Sequence, residues 1–159
     1  MKNYYFLALL VLLPVLGMAD WLSFDEGLAL AGKKNKLMMV DFYTDWCGWC
    51  KRLDKETFQN PEVKAYLDKH FVTVKLNAED VNQNLHFDNR NFTNRQFTSA
   101  MGIRGFPAVA FFDADGKVLT LLPGFAPAAD FMLVLKYFHE GHYKKNISFE
   151  DYRKKMGKS

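Results

Sequence analysis

The hydrophobic pattern of the chain predicts strands and helices in alternation. Short runs in which most residues are apolar or β-branched are typical of strands buried in a sheet. These runs are Leu37 to Tyr43, Phe71 to Leu76, Ala108 to Phe112 and Lys117 to Leu122. Between the last two, Asp113-Ala114-Asp115-Gly116 predicts the turn of a β-hairpin.

Helices are predicted between these runs, because helix-start signals precede apolar residues at helical spacing. The start signals are Ser23 with Glu26 three residues later, Cys47, Asn60 with Pro61, and Pro127. The last long helix carries an i, i+3, i+4, i+7 stripe made of Phe131, Val134, Leu135 and Phe138. Gly141 ends that helix.

Three further segments complete the pattern. A helix is predicted from Phe92 to Met101, and a short one from Ser148 with Phe149, Tyr152 and Met156 on one side. Residues 78–91 are polar, rich in asparagine and without a clear period, which predicts a surface loop.

The order of these elements indicates the α/β class. The first part, β-α-β, requires a parallel crossover, and the hairpin adds an antiparallel edge. A central mixed β-sheet flanked by helices on both faces satisfies both requirements.

The composition indicates one globular domain. The chain has 159 residues, and 49% of them are hydrophobic, which excludes a disordered chain. The net charge is only +3. Much of it comes from a basic C-terminal segment that holds Lys144, Lys145, Arg153, Lys154, Lys155 and Lys158. Such a segment is typically solvated, so we expect no nucleic-acid partner.

The N-terminus is typical of a secretory signal peptide. Lys2 is followed by an apolar stretch from Tyr4 to Leu16 and then by Gly17-Met18-Ala19, with small residues at the −3 and −1 positions of a cleavage site. We expect cleavage near Ala19 and an exported, periplasmic location. The alternative is an uncleaved segment that anchors the protein to the membrane, although Pro14 interrupts this stretch and it is short for a bilayer span.

These observations predict three parts. Residues 1–19 are the signal peptide, residues 20–141 the folded domain, and residues 142–159 a basic C-terminal tail with room for one short helix. We expect the mature protein to be a monomer.

The most informative chemistry lies in Cys47-Gly48-Trp49-Cys50, which contains the only two cysteines of the chain. An apolar strand leads into this motif and a helix begins with it, so Cys47 is predicted at a helix N-terminus. Free backbone N–H groups and the helix dipole stabilise a thiolate there, and thiolates attack disulfides. A purely structural disulfide is the alternative, but a bridge that closes so short a loop gains little stability.

A zinc site is a second alternative for these cysteines. Cys47, Cys50, His139 and His142 form a Cys2His2 set by residue type. However, Gly141 ends a helix between the two histidines, and Cys47 belongs to a helix start. We therefore expect no metal.

The element order and the motif together resemble the thioredoxin fold, from about Trp21 to Gly141. Three segments carry the resemblance in the order of that family: Val40-Asp41-Phe42 through Trp46-Cys47-Gly48-Trp49-Cys50-Lys51, then Ile103-Arg104-Gly105-Phe106-Pro107, then Gly124. The resemblance implies a buried acid at Asp41, a cis-proline at Pro107 and a groove glycine at Gly124.

Within this family the chain more closely resembles exported thioredoxin-related reductases and the C-terminal domain of the membrane reductant DsbD. The matching segments are Thr57-Phe58, Asn60-Pro61-Glu62-Val63 and Phe111-Phe112-Asp113 through Gly116. Two features depart from thioredoxin itself: Trp49 stands where thioredoxin has a proline between its cysteines, and the helix after Cys50 lacks a kinking proline.

The resemblance implies a role for each residue of the site. Cys47 attacks the substrate, Cys50 resolves the mixed disulfide, and Asp41 accepts the proton of Cys50. A solvated carboxylate at the strand edge is the alternative for Asp41, and we expect no cationic partner for it from its own strand. The substrate-binding residues are Trp46, Gly48, Trp49, Phe106, Pro107 and Gly124.

The backbone of Phe106 would pair with an extended substrate. We expect an apolar rim around the cysteines, formed by Trp46, Trp49, Phe106 and Phe125, which leaves the Cys47 sulfur accessible.

The predicted function is an exported thiol-disulfide oxidoreductase that reduces protein disulfides. No cofactor beyond the Cys47–Cys50 disulfide is expected. Gly48 and Trp49 provide no charge that would stabilise the thiolate strongly, which favours a reducing couple. A reductase outside the cytoplasm must be recharged, so a membrane electron donor of the DsbD type is implied. The alternatives are a thiol oxidase or isomerase on the same fold, and a non-enzymatic binding module with a structural disulfide.

Overall fold

The computed structural model describes residues 21–157, so the predicted signal peptide lies outside it. None of the helices in this range has both the length and the apolar character of a bilayer span.

The helices are α1 (Phe24–Lys34), α2 (Gly48–Leu53), α3 (Pro61–His70), α4 (Asn94–Ala100), α5 (Ala128–His139) and α6 (Phe149–Met156). The strands are β1 (Leu37–Tyr43), β2 (Phe71–Asn77), β3 (Asn84–Phe87), β4 (Arg90–Thr93), β5 (Ala108–Phe112) and β6 (Val118–Pro123). A π-helical turn, Asp54–Phe58, continues α2, and a 3-10 turn, His142–Lys145, follows α5.

The main sheet has the mixed topology that the sequence predicts. Its order is β2-β1-β5-β6, with β1 and β2 parallel and the other neighbours antiparallel. Val40 at the centre of β1 pairs with Val74 on one side and Ala110 on the other. Because β1 is central and covered on both faces, its apolar run is nearly continuous. The thioredoxin fold expected from the resemblance is thus confirmed.

Each face of the sheet has its own core. Met38, Val40 and Phe42 face the core formed with α1, the β3–β4 hairpin and α4. Met39 faces the opposite core, which contains residues of α2, α3, α5 and α6. Side chains alternate along a strand, so Asp41 lies on the Met39 face and is directed toward the α2 side of the sheet.

The predicted surface loop at residues 78–91 is wrong in part, because residues 84–91 belong to a β-hairpin that forms a second, two-stranded sheet. Strands β3 and β4 pair antiparallel, and Asp88 and Asn89 form the turn with positive φ. Leu85 is buried in the main core, and the backbone N–H of His86 donates to Asp25 Oδ1 at 2.9 Å. A strand of four residues is too short for its alternation to stand out in a polar sequence.

The helix predicted from Phe92 begins two residues later. Thr93 is the N-cap of α4, and its hydroxyl accepts from the backbone N–H of Gln96 at 3.2 Å. The Gln96 side chain accepts in turn from the Thr93 N–H, which completes a capping box. Phe92 belongs to β4.

The short helix predicted at Ser148 is confirmed and packs against α5. Tyr152 is buried, and the Tyr137 hydroxyl donates to the Ile147 carbonyl at 2.7 Å. Met156, which was expected on the same apolar side, is exposed.

Candidate functional site

Cys47 and Cys50 lie at the junction of β1 and α2. Cys47 is the N-cap residue of α2, and its Sγ accepts a hydrogen bond from the backbone N–H of Cys50 at 3.1 Å. The backbone N–H of Cys47 donates to the Thr44 carbonyl at 3.2 Å, which closes the turn before the helix. The two sulfurs form a disulfide. In the dithiol state the same N–H donor favours a thiolate at Cys47.

Exposure does not distinguish the two cysteines. Cys47 is 4% exposed and Cys50 is 6% exposed in the disulfide form, so Cys47 is more buried than expected. The two cysteines differ instead in hydrogen bonding, because the Cys47 sulfur accepts the hydrogen bond at the helix N-cap. Around them, Trp46 and Trp49 are 68% and 55% exposed.

The segment around Pro107 lies beside Trp46, the residue that precedes Cys47. The Phe106–Pro107 peptide bond is cis, as the resemblance implies. The Pro107 carbonyl accepts from the Gly124 N–H at 2.8 Å, and Gly124 has a φ of 83°, which favours glycine. This bond joins two of the segments that the sequence singled out.

Two aromatic pairs flank the disulfide and connect it to these segments. Trp46 lies edge-on to Phe106 with ring centroids 6.4 Å apart, and Trp49 lies 5.7 Å from Phe125. The four side chains of the predicted apolar rim therefore come together as two pairs. Gly48, between the cysteines, has open space where a side chain would project.

Two charged side chains, Glu79 and Arg52, contact the aromatic residues of the rim, and the sequence singles out neither of them for this role. The Trp46 indole N–H donates to Glu79 Oε2 at 2.9 Å. The Arg52 guanidinium lies 5.1 Å from the Trp49 ring centroid and 4.8 Å from that of Phe125, and its Nε donates to Glu56 at 2.9 Å. A guanidinium over two rings is a cation–π arrangement.

Asp41 is the buried acid of the site. It is 2% exposed, so the alternative of a solvated carboxylate is excluded. Burial raises the pKa of Asp41 from its ordinary 3.8 to about 7, the positive charge of Lys75 opposes this rise, and the negative charge of Asp54 adds to it. A carboxyl with a pKa near 7 can take up and release a proton at neutral pH.

Lys75, on the strand next to that of Asp41, supplies a positive charge that acts on Asp41. It stands opposite Asp41 in the register of β1 and β2, and its Nζ forms a 2.8 Å ion pair with Asp54 Oδ1. Both partners of the ion pair are partly exposed, at 27% and 30% of their side chains. Lys75 lies far from Asp41 in sequence, and strand pairing brings the two together.

The Cys2His2 set considered for zinc is not assembled. Cys47 and Cys50 follow the C-terminal end of β1. The His139 ring lies instead near the N-terminal end of that strand, with its centroid 3.8 Å from that of the His70 ring. His139 Nδ1 is also hydrogen-bonded to the Tyr66 hydroxyl at 2.9 Å. Within residues 21–157, no cluster of three or more histidine, cysteine or acidic side chains is arranged to hold a metal ion.

Sequence comparison places the chain in one family. The thioredoxin-like domain family matches residues 24–139. The thiol:disulfide interchange protein DsbD of Vibrio vulnificus (strain CMCP6) is 38% identical over 110 residues, which cover 68% of this chain and 17% of DsbD. DsbD of Photorhabdus laumondii is 33% identical over 114 residues, covering 70% and 18%. The chain thus spans about a sixth of the length of the curated relatives it matches.

Structural comparison agrees. A thioredoxin-fold protein from Helicobacter pylori superposes with a TM-score of 0.66 at 23% identity, covering 78% of this chain and 81% of that protein, which supports the fold. The reduced C-terminal domain of DsbD from Neisseria meningitidis superposes with a TM-score of 0.53 at 25% identity, covering 70% and 90%. The chain therefore belongs to the thioredoxin-like domain family and is related in sequence to the thiol:disulfide interchange proteins DsbD.

Proposed function

We propose that this protein is an exported thiol-disulfide oxidoreductase that reduces protein disulfides through a mixed disulfide. The observation that carries the proposal is the N-cap position of Cys47, where its sulfur accepts the Cys50 N–H. This geometry supports a thiolate at Cys47 as the attacking group. Similarity to thiol:disulfide interchange proteins supports the same chemistry.

The first step joins the protein to its substrate. The Cys47 thiolate attacks one sulfur of the substrate disulfide, a bond forms between them, and the other substrate sulfur leaves as a thiolate. We assign the pairing with an extended substrate segment to the backbone of Phe106, ahead of Pro107. Trp46 and Trp49, both largely exposed, present apolar surface on either side of that segment.

The second step releases the substrate. Cys50 loses its proton, attacks the Cys47 sulfur and closes the Cys47–Cys50 disulfide, while the second substrate sulfur leaves as a thiolate. Two electrons pass from the dithiol to the substrate, and both substrate thiolates take up protons. We assign the role of general base for Cys50 to Asp41, because a pKa of about 7 suits a base at neutral pH.

The direction of electron flow is proposed from the stabilisation of the thiolate. Strong oxidants of this chemistry stabilise their reduced form, and Gly48 and Trp49 add no positive charge between the cysteines. A modestly stabilised thiolate favours the reductase direction. The N-terminal sequence supports export, and an exported reductase requires a membrane electron donor, for which the DsbD type is our proposal.

The proposal is tested by mixing the reduced protein with a protein disulfide and following thiols in both molecules. We expect one client disulfide to be opened for each Cys47–Cys50 pair that is oxidised, faster than a free dithiol achieves at equal concentration. A non-enzymatic binding module with a structural disulfide predicts no acceleration. That result would contradict the proposal.

A further inference from the structure

Two buried polar atoms near the cysteines have no protein partner. Within residues 21–157, neither Thr44 Oγ1 nor Asp41 Oδ1 forms a hydrogen bond with another protein group. Thr44 is 1% exposed, and its Oγ1 atom is buried. Buried polar groups are nearly always hydrogen-bonded, so each exception calls for an explanation.

Thr44 lines a cavity that also reaches the resolving cysteine. The cavity has a volume of about 210 Å³, and Cys50, Asp54 and Lys75 are among its other lining residues. Its lining combines the charged groups of Asp54 and Lys75 with apolar surface, and its volume is sufficient for several water molecules, which need only about 10 to 15 Å³ each by the same measure. The Lys75–Asp54 ion pair, which lines this cavity, is partly exposed to solvent.

A backbone hydrogen bond fixes the position of Thr44 relative to Cys47. Its carbonyl accepts the N–H of Cys47, so any shift of Thr44 would move the start of α2. A threonine hydroxyl donates one hydrogen bond and accepts two, which allows it to orient water or pass a proton in either direction. A valine side chain of the same shape can do neither.

We propose that Thr44 is a positioning residue for the resolving step, whose hydroxyl orients the cavity water through which the Cys50 proton departs. The inference rests on the proposed function. When Cys50 attacks the Cys47 sulfur of the mixed disulfide, its S–H bond breaks, and the proton passes through water to the Asp41 carboxylate or to solvent. The electron pair left on sulfur forms the new S–S bond, and the substrate leaves as a thiolate.

The test compares Thr44→Val with Thr44→Ser in a rapid-mixing assay that separates the two steps. Attack by Cys47 is measured alone in the Cys50→Ser background, and resolution is measured in the protein with both cysteines. We expect Thr44→Val to slow resolution roughly three- to tenfold, the factor that one hydrogen bond contributes, without changing the first attack. Thr44→Ser, which keeps the hydroxyl, should resolve within about twofold of wild type.

Thr98→Val is the matched control. Thr98 is also buried, but its hydroxyl donates to the Asn94 carbonyl in α4, outside the site, so its removal should leave both rates unchanged. Thr44→Ala replaces Thr44→Val if the latter does not fold, and the same slowing is expected.

The outcomes separate this inference from the proposed function. Equal resolution by wild type and Thr44→Val would overturn the role of Thr44 alone. Equal slowing in Thr44→Ser and Thr44→Val would also overturn it, because packing of the methyl group would then be responsible. If the wild-type dithiol opens no disulfide, the proposed function fails and the role of Thr44 fails with it.

Discussion

Replacing Cys50 with serine is expected to leave the protein covalently attached to its clients, whereas replacing Cys47 should capture none. The Cys47 sulfur accepts the Cys50 N–H at the helix N-cap, so it is the sulfur that attacks. Without Cys50, no internal thiol can attack the mixed disulfide, and release depends on external thiols. Without Cys47, the remaining thiol at Cys50 lacks the N-cap position, and exchange should be abolished.

Non-reducing gel electrophoresis of the two variants, after incubation with oxidised client proteins, gives the measurement. We expect higher-mass bands that disappear with reductant for Cys50→Ser only. The Cys47→Ser/Cys50→Ser double variant is the control for association without a covalent bond. Equal capture by both single variants, or by neither, would contradict the roles assigned to the two sulfurs.

Replacing Asp41 with asparagine is expected to slow resolution more than the first attack. The Asp41 carboxyl is buried with a pKa of about 7, so in wild type the resolving rate should rise with pH through that value. Asparagine cannot accept the Cys50 proton, and this inflection should disappear. We expect the resolving step of Asp41→Asn to be roughly 10- to 100-fold slower than that of wild type near pH 8. This factor is smaller than the full contribution of a general base, because water can still take the Cys50 proton. Stopped-flow reduction of a model disulfide across pH measures both steps.

The same substitution should stabilise the fold in a pH-dependent way. The pKa of Asp41 is higher in the folded protein than its ordinary 3.8, so the folded state holds the extra proton between about pH 4 and 7. Stability of wild type therefore falls as pH rises through that window, by on the order of 4 kcal/mol for a shift from 3.8 to about 7. Asp41→Asn avoids this cost, so its free energy of unfolding should exceed that of wild type at pH 8 and match it near pH 4.

Denaturant unfolding at both pH values tests this prediction, and Asp115→Asn is the matched control. Asp115 is an exposed carboxylate in the β5–β6 turn, so its replacement should change stability little at either pH. A wild-type resolving rate in Asp41→Asn, together with no gain in stability at pH 8, would contradict both the buried charge and the general base.

The sequence predicted the main sheet and the placement of the cysteines well, for physical reasons. β1 is buried on both faces, so its apolar run is visible without any knowledge of its neighbours. Cys47 follows that run directly and precedes residues with helical spacing, so its N-cap position depends only on local signals. Pro107 and Gly124 were identified from a resemblance, and a backbone hydrogen bond joins them in the fold.

Features that depend on pairing between distant segments could not be predicted. The position of Lys75 opposite Asp41 follows from the register of two strands, which no local pattern encodes. Arg52 is half-exposed on α2, yet its guanidinium lies over Trp49 and Phe125, a contact that no local pattern indicates. Likewise, nothing in the sequence distinguishes Thr44 as a buried hydroxyl without a protein partner.

The redox potential of the Cys47–Cys50 pair tests the central claim most directly. The protein is equilibrated with glutathione buffers of known ratio, and the fraction in the disulfide form is measured after acid quenching. A reductase with a modestly stabilised thiolate should have a potential near that of thioredoxin, about −270 mV. A potential near that of the strong oxidant DsbA, about −120 mV, would contradict the reductase assignment and favour an oxidase on the same fold.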